Sequence, residues 1–197
     1  NSEWLAVNDG QLFVVGNNSS LFIYNLERRK GYEIQSQAKA GFSYTQDQQH
    51  MILLPYNYYS NGEQKNTEIW SLPSQENNQP QKIGEIESAN TTILSKDGRW
   101  VLTIPNLVSP LAVKSKLWDT NCIIDKKECI PFEILANRAG FSPDSKYLLA
   151  GYSESEEYAS QNEFDVWSLP QDPTQEIQKV YSNHTTQYSP SIGNDGK

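Results

Sequence analysis

Histidine, cysteine and methionine are scarce in this chain: two His, two Cys and one Met among 197 residues. His50 and His184 cannot supply a multi-histidine metal centre, and no second Cys or His pair stands by to complete a four-ligand site around Cys122 and Cys129. No metal and no cofactor is expected. No apolar run approaches the ~18 residues of a membrane span. Positive charge is in deficit, 16 Lys+Arg against 24 Asp+Glu for a net charge of −8. An acidic surface repels phosphate backbones, so nucleic acid is not an expected partner. The chain lacks a Gly-x-Ser-x-Gly elbow, a His-Glu-x-x-His pair and a phosphate-cradling Gly-x-x-x-x-Gly-Lys loop. Helix signals are nearly absent, with one turn at most over Leu26 to Lys30. The opening Asn1-Ser2-Glu3-Trp4 has neither an initiator Met nor a charged-then-apolar leader, as expected of a processed chain or a piece of a longer one.

What the chain does contain is a sentence written four times. One landmark is an Asp in a turn ahead of an apolar strand: Asp9, Asp47, Asp97, Asp144 and Asp195. The other is an aromatic near the end of a later strand, Tyr24, Trp70, Trp118 and Trp167, spaced 46, 48 and 49 residues apart. Aromatics make up 11% of the chain, and short alternating stretches such as Phe164 to Leu169 read as half-buried strands. Four strand-rich units explain the period. In the third, strands are expected at Thr91–Ser95, Trp100–Ile104, Lys114–Asp119 and Ile130–Leu135. In the fourth they fall at Arg138–Ser142, Tyr147–Tyr152, Glu163–Leu169 and Glu176–Tyr181.

Phe141-Ser142-Pro143-Asp144 followed by Lys146-Tyr147-Leu148-Leu149 resembles the strand-turn-strand core of a WD40 repeat. Leu117-Trp118-Asp119-Thr120 carries the dipeptide that names that family, and Val166-Trp167-Ser168-Leu169 is its near relative. The family's Gly-His pair has no match, and the repeats run longer than its usual ~40–45 residues. The resemblance implies an all-β fold, a β-propeller arc of four-stranded antiparallel blades over residues 1–197. The blades would span about 4–36, 38–88, 90–136 and 137–182, with the start of another at 183–197 and its first strand at Thr185–Ser189. A blade buries its faces only against neighbours. Part of a larger ring is therefore expected, seven-bladed by resemblance, the remainder lying elsewhere in a longer polypeptide or in another chain.

Cys122 and Cys129 bracket six residues between the third and fourth strands of unit three. They are either a small disulfide-closed hairpin, turning at Asp125-Lys126-Lys127, or two free thiols. A cytoplasmic setting is expected, which a Cys122–Cys129 bond would argue against in favour of an extracytoplasmic one. The repeated turn aspartates are read as structural, and His50 likewise.

What remains for function is surface. In a propeller the loops between second and third strands share one face. Here they are long and hold Tyr56, Tyr58 and Tyr59 in unit two, Leu107, Val108 and Leu111 in unit three, and Glu154, Glu156 and Tyr158 in unit four. Tyrosines and loop apolar residues suit a protein interface. The expectation is a non-catalytic protein-interaction scaffold or sensor that binds a protein partner. The alternative is a propeller capping or gating a hydrolase or peptidase domain encoded outside this chain.

Overall fold

The structure, a computed structural model, describes residues 4–8, 12–16, 21–25, 29–36, 41–45, 49–54, 66–72, 79–87, 89, 91–105, 113–153, 162–172 and 175–185. Among the described residues, sixteen strands form four antiparallel sheets of four, each with strands in chain order across the sheet. The chain divides into two compact units, 1–86 and 87–197.

Unit 1 holds two sheets. The first is β1 (Trp4–Asn8), β2 (Leu12–Gly16), β3 (Leu21–Asn25) and β4 (Lys30–Ile34). The second is β5 (Gly41–Tyr44), β6 (His50–Leu54), β7 (Thr67–Ser71) and β8 (Gln81–Ile86). They share a core in which Leu21, Ile23 and Ile34 of the first sheet meet Tyr44, Met51, Leu53 and Leu72 of the second, with Phe42 and Trp70 alongside.

Unit 2 repeats the arrangement. Its first sheet is β9 (Thr91–Leu94), β10 (Trp100–Ile104), β11 (Lys114–Asp119) and β12 (Phe132–Leu135). Its second is β13 (Arg138–Phe141), β14 (Tyr147–Tyr152), β15 (Asn162–Ser168) and β16 (Gln178–Thr185). Leu102, Ile104, Leu117 and Ile134 pack on Leu148, Ala150 and Leu169, flanked by Phe141 and Trp167. Strand β9 meets β13, β12 meets β14, and the Phe132 and Trp167 rings touch edge to face at 5.4 Å between centroids.

One packing rule covers both units. The earlier sheet offers the face holding the residue just before its third-strand aromatic, Ile23 before Tyr24 and Leu117 before Trp118. The later sheet offers the face of its aromatic, Trp70 or Trp167. Successive side chains point to opposite faces, so a strand buried on both reads as a nearly continuous apolar run. Strand β10, Trp-Val-Leu-Thr-Ile, is of that kind, with all five residues buried.

The turns recur as well. Ser95 Oγ donates to Asp97 Oδ1 (2.6 Å) and accepts from the Trp100 N–H (2.8 Å). Ser142 does the same with Asp144 (2.7 Å) and the Tyr147 N–H (2.9 Å). Both turns use a left-handed residue at the same place, Gly98 (φ 72°) and Ser145 (φ 59°). Glycine holds that conformation without a Cβ penalty. Serine does not, but the buried Ser145 Oγ accepts the Asp97 N–H of the neighbouring turn at 3.2 Å, which offsets the strain.

Four details differ from the sequence expectation. The segment after Trp118 is not a hairpin arm but one helical turn, α1 (Thr120–Ile124), capped by Asp119, whose side chain accepts from the Asn121 N–H. The strand expected from Ile130 begins at Phe132, and Lys30 opens a strand. Thr185 closes β16, paired with Asn162, rather than opening a further strand. Asp9, Asp47 and Asp195 lie outside the described residues.

Candidate interaction surface

All nine loop residues expected to carry an interface fall outside the described residues: Tyr56, Tyr58, Tyr59, Leu107, Val108, Leu111, Glu154, Glu156 and Tyr158. Their attachment points are described. The connections leave β10 at Ile104 and β14 at Tyr152, at the ends of these strands opposite the Ser-Asp turns. Because the Asp97 and Ser145 turns touch at one end of unit 2, the two long connections leave from the other end, together. In unit 1 the β6–β7 connection departs from the equivalent place, after Leu54.

Cys122 and Cys129 are joined, with Cα atoms 5.5 Å apart. Their link ties α1 to the segment entering β12 and presents the exposed Ile130 beside it. So short a closed loop removes little chain entropy. Replacing both cysteines by serine is expected to lower the unfolding free energy of the chain by about 2 kcal/mol, measured in urea.

Among the described residues no group of three or more His, Cys, Asp or Glu side chains could hold a metal ion. The described turn carboxylates, Asp97 and Asp144, accept hydrogen bonds from Ser95 and Ser142 in their own turns. Hydrogen bonding from Ser142, then from the Lys146 N–H, keeps the Asp144 carboxyl below the usual aspartate range. Its stabilising contribution is thus present above the unfolded-state value and is lost as pH falls through the lowered folded one. An NMR titration of the Asp144 carboxyl is expected to show a midpoint below that of an unstructured peptide, and in Ser142→Ala the midpoint should move back up.

Two buried carboxylates escaped sequence reasoning. Glu68 and Asp165 stand two residues before Trp70 and Trp167, inside strands. Glu68 accepts from Ser36 Oγ (2.5 Å) and Trp70 Nε1 (2.9 Å), with Lys82 Nζ at 3.8 Å. Asp165 accepts from Ser182 and pairs with Lys179 at 2.8 Å. In both sheets the lysine lies opposite the Trp, across a register shift that follows Ile69 or Val166. The bulge bends the outer strand and swings the lysine over the carboxylate. In β11 the same position holds Lys116, which pairs with Glu87 at 2.8 Å. In the sheets of β7 and β15 the acid and Lys tie the third strand to the fourth, and in β7 the Trp70 indole donates to the acid as well.

Arg99 is a third missed residue. It donates to Asp119 through Nε (3.1 Å) and Nη2 (2.9 Å), and to the Pro170 carbonyl through Nη1 (2.7 Å). Its guanidinium also stands 4.8 Å from the Trp100 ring centre.

No protein-family model matches this chain. No curated protein matches it either. Among solved structures it is similar to the β-propeller domain of the trilobed protease from Pyrococcus furiosus, at 17% identity and a TM-score of 0.50, covering 91% of this chain and 57% of that one. It is also similar to a crystal structure of the eukaryotic initiation factor, at 14% identity and a TM-score of 0.49, covering 95% of this chain and 55% of that one. A third similarity is to Kuenenia stuttgartiensis hydrazine synthase, at 14% identity and a TM-score of 0.45, covering 89% of this chain and 53% of that one. The chain thus spans little more than half the length of these three structures. With four antiparallel four-stranded sheets stacked by one rule in each unit, the first of these similarities establishes the fold class: these sheets are β-propeller blades.

Proposed function

We propose that this chain is a non-catalytic interaction module, a divergent WD40-like propeller that binds a protein partner through the long connections between the second and third strands of its blades. One observation carries the reading. In unit 2 the first-to-second turns are tight and fastened by Ser-Asp bonds, while the connections at the opposite end run through 106–112 and 154–161. Rigid strands that present long loops at one end are the usual support for recognition. The turn and strand carboxylates Asp97, Asp144, Asp119, Glu68 and Asp165 support it further, since each is engaged in holding the fold.

The test is cross-linked capture from the source cell, comparing the wild-type chain with a Tyr56→Ser, Tyr58→Ser, Tyr59→Ser variant and a Leu107→Ser, Val108→Ser, Leu111→Ser variant. One partner should be depleted at least about tenfold by either variant while the far-ultraviolet spectrum stays unchanged. Equal capture by all three chains would overturn the reading. The Pyrococcus furiosus domain belongs to a protease, which keeps a second reading in view, a propeller that gates a hydrolase or peptidase domain. Capture of such a domain would decide for it.

The joined cysteines support an oxidising compartment rather than the cytoplasm. Alkylation of the native protein under acid quench should leave Cys122 and Cys129 unlabelled until a reductant is added. Labelling without reductant would return the chain to the cytoplasm.

A further inference from the structure

The connection between β11 and β12 is fixed at both of its ends. At the first, Thr120 is fully buried. Its N–H donates to the Arg99 carbonyl (2.8 Å) and its Oγ1 to the Gly98 carbonyl (2.9 Å). At the second, Phe132 pairs with Leu117 and its ring meets Trp167. What lies between is slight. Helix α1 has five residues, where a helix standing alone in water needs about 12–15. Three backbone bonds close the turn that follows. The Asp125 N–H donates to the Asn121 carbonyl (2.8 Å), that of Lys126 to Ile123 (3.0 Å) and that of Lys127 to Cys122 (2.8 Å). Asp125 to Glu128 are exposed, and so is Ile130, at 82%. From Lys127 to Pro131 the chain has no regular secondary structure. The bond between Cys122 and Cys129 runs across this stretch.

We propose that the Cys122–Cys129 bond is a redox-sensitive latch. Closed, it holds residues 121–131 in order; opened by a dithiol, it releases them and leaves the sheets intact. Both cysteines lie on one connection, seven positions apart, so the bond ties no sheet to another. Both are only half-buried, so an attacking thiolate can reach the pair. Exposed disulfides of this kind are the labile ones. The anchors Thr120 and Phe132 are held by other bonds and do not depend on it. In the opening step one thiolate of the dithiol attacks a sulfur of the pair. The S–S bond breaks and its electron pair leaves on the other sulfur. The second thiol of the reductant then displaces the first protein sulfur. The protein gains two electrons and two protons, and the dithiol becomes a disulfide. The latch is separate from the loop surface and stands without it.

Amide hydrogen exchange of the 197-residue chain, followed by NMR with and without dithiothreitol, tests this. Reduction should speed exchange of the Asp125, Lys126 and Lys127 amides at least about tenfold, and reoxidation should restore it. The Phe132–Trp167 ring contact should persist in both states. A chain with both Cys122→Ser and Cys129→Ser should exchange fast at these amides throughout and ignore the reductant. Exchange at 125–127 that is indifferent to reduction would overturn the proposal, and so would a response to dithiothreitol in the serine variant. A bond that dithiothreitol opens only after urea has unfolded the chain would overturn it as well. Loss of the Phe132–Trp167 contact on reduction would do the same, since the bond would then be holding the sheets and not a latch beside them.

Discussion

Replacing Arg99 by alanine is expected to lower the unfolding free energy by about 2–3 kcal/mol, read from the shift of the urea midpoint at constant slope. This side chain joins three segments that sequence keeps far apart: the turn before β10, the Asp119 cap of α1, and the Pro170 carbonyl after β15. Breaking a fully buried ion pair costs about 3–5 kcal/mol, while an exposed pair contributes about 0–1 kcal/mol. The Arg99 side chain is 12% exposed and that of Asp119 27%, so the pair sits nearer the buried limit but is discounted for solvent at Asp119. The loss also removes the contact with Trp100. Arg99→Lys should recover less than half, because an ammonium cannot span Asp119 and the Pro170 carbonyl with fixed fork geometry. A change under about 0.5 kcal/mol, the scale of an ordinary surface substitution, would remove Arg99 from its assigned role.

A larger effect is expected from Leu148→Ala, about 3–4 kcal/mol on the same measurement. Leu148 is fully buried, stands opposite Trp167 in the β14–β15 pair and packs into the core shared with the preceding blade. Truncation removes the transfer energy of the lost methyls and leaves a cavity that rigid sheets on both sides cannot close. Leu135→Ala is the matched control. That leucine is exposed on the outer strand β12, so its truncation should cost less than about 1 kcal/mol. Equal losses at the two positions would mean that Leu148 does not lie between blades.

Much of this architecture was legible because local chemistry and the global period agree. The Asp of each turn and the aromatic of each third strand recur at nearly one spacing, and alternation assigns the strands between them. What stayed hidden depends on partners that sequence does not bring together. Glu68 and Asp165 sit in alternating strands where a carboxylate ordinarily marks the solvent side. Only the bulge that brings Lys82 or Lys179 near makes burial tolerable. Arg99 follows a turn Gly and looks like an ordinary surface charge until Asp119 and Pro170 arrive beside it. The helical turn α1 did have a signal, an Asp119 cap before Thr120-Asn121, but the same Asp also completes the Trp-Asp dipeptide and was absorbed by the strand reading. The loop residues proposed for binding rest on composition and on where their strands end.

The central claim is that, within each unit, the aromatic face of the second sheet is covered by a face of the first. The most direct measurement is a nuclear Overhauser spectrum of the chain with the Phe132 and Trp167 rings selectively labelled. The expected result is a strong ring-to-ring cross-peak, consistent with centroids 5.4 Å apart. A Trp167 indole showing contacts only to its own sheet, with none to Phe132, would contradict the account.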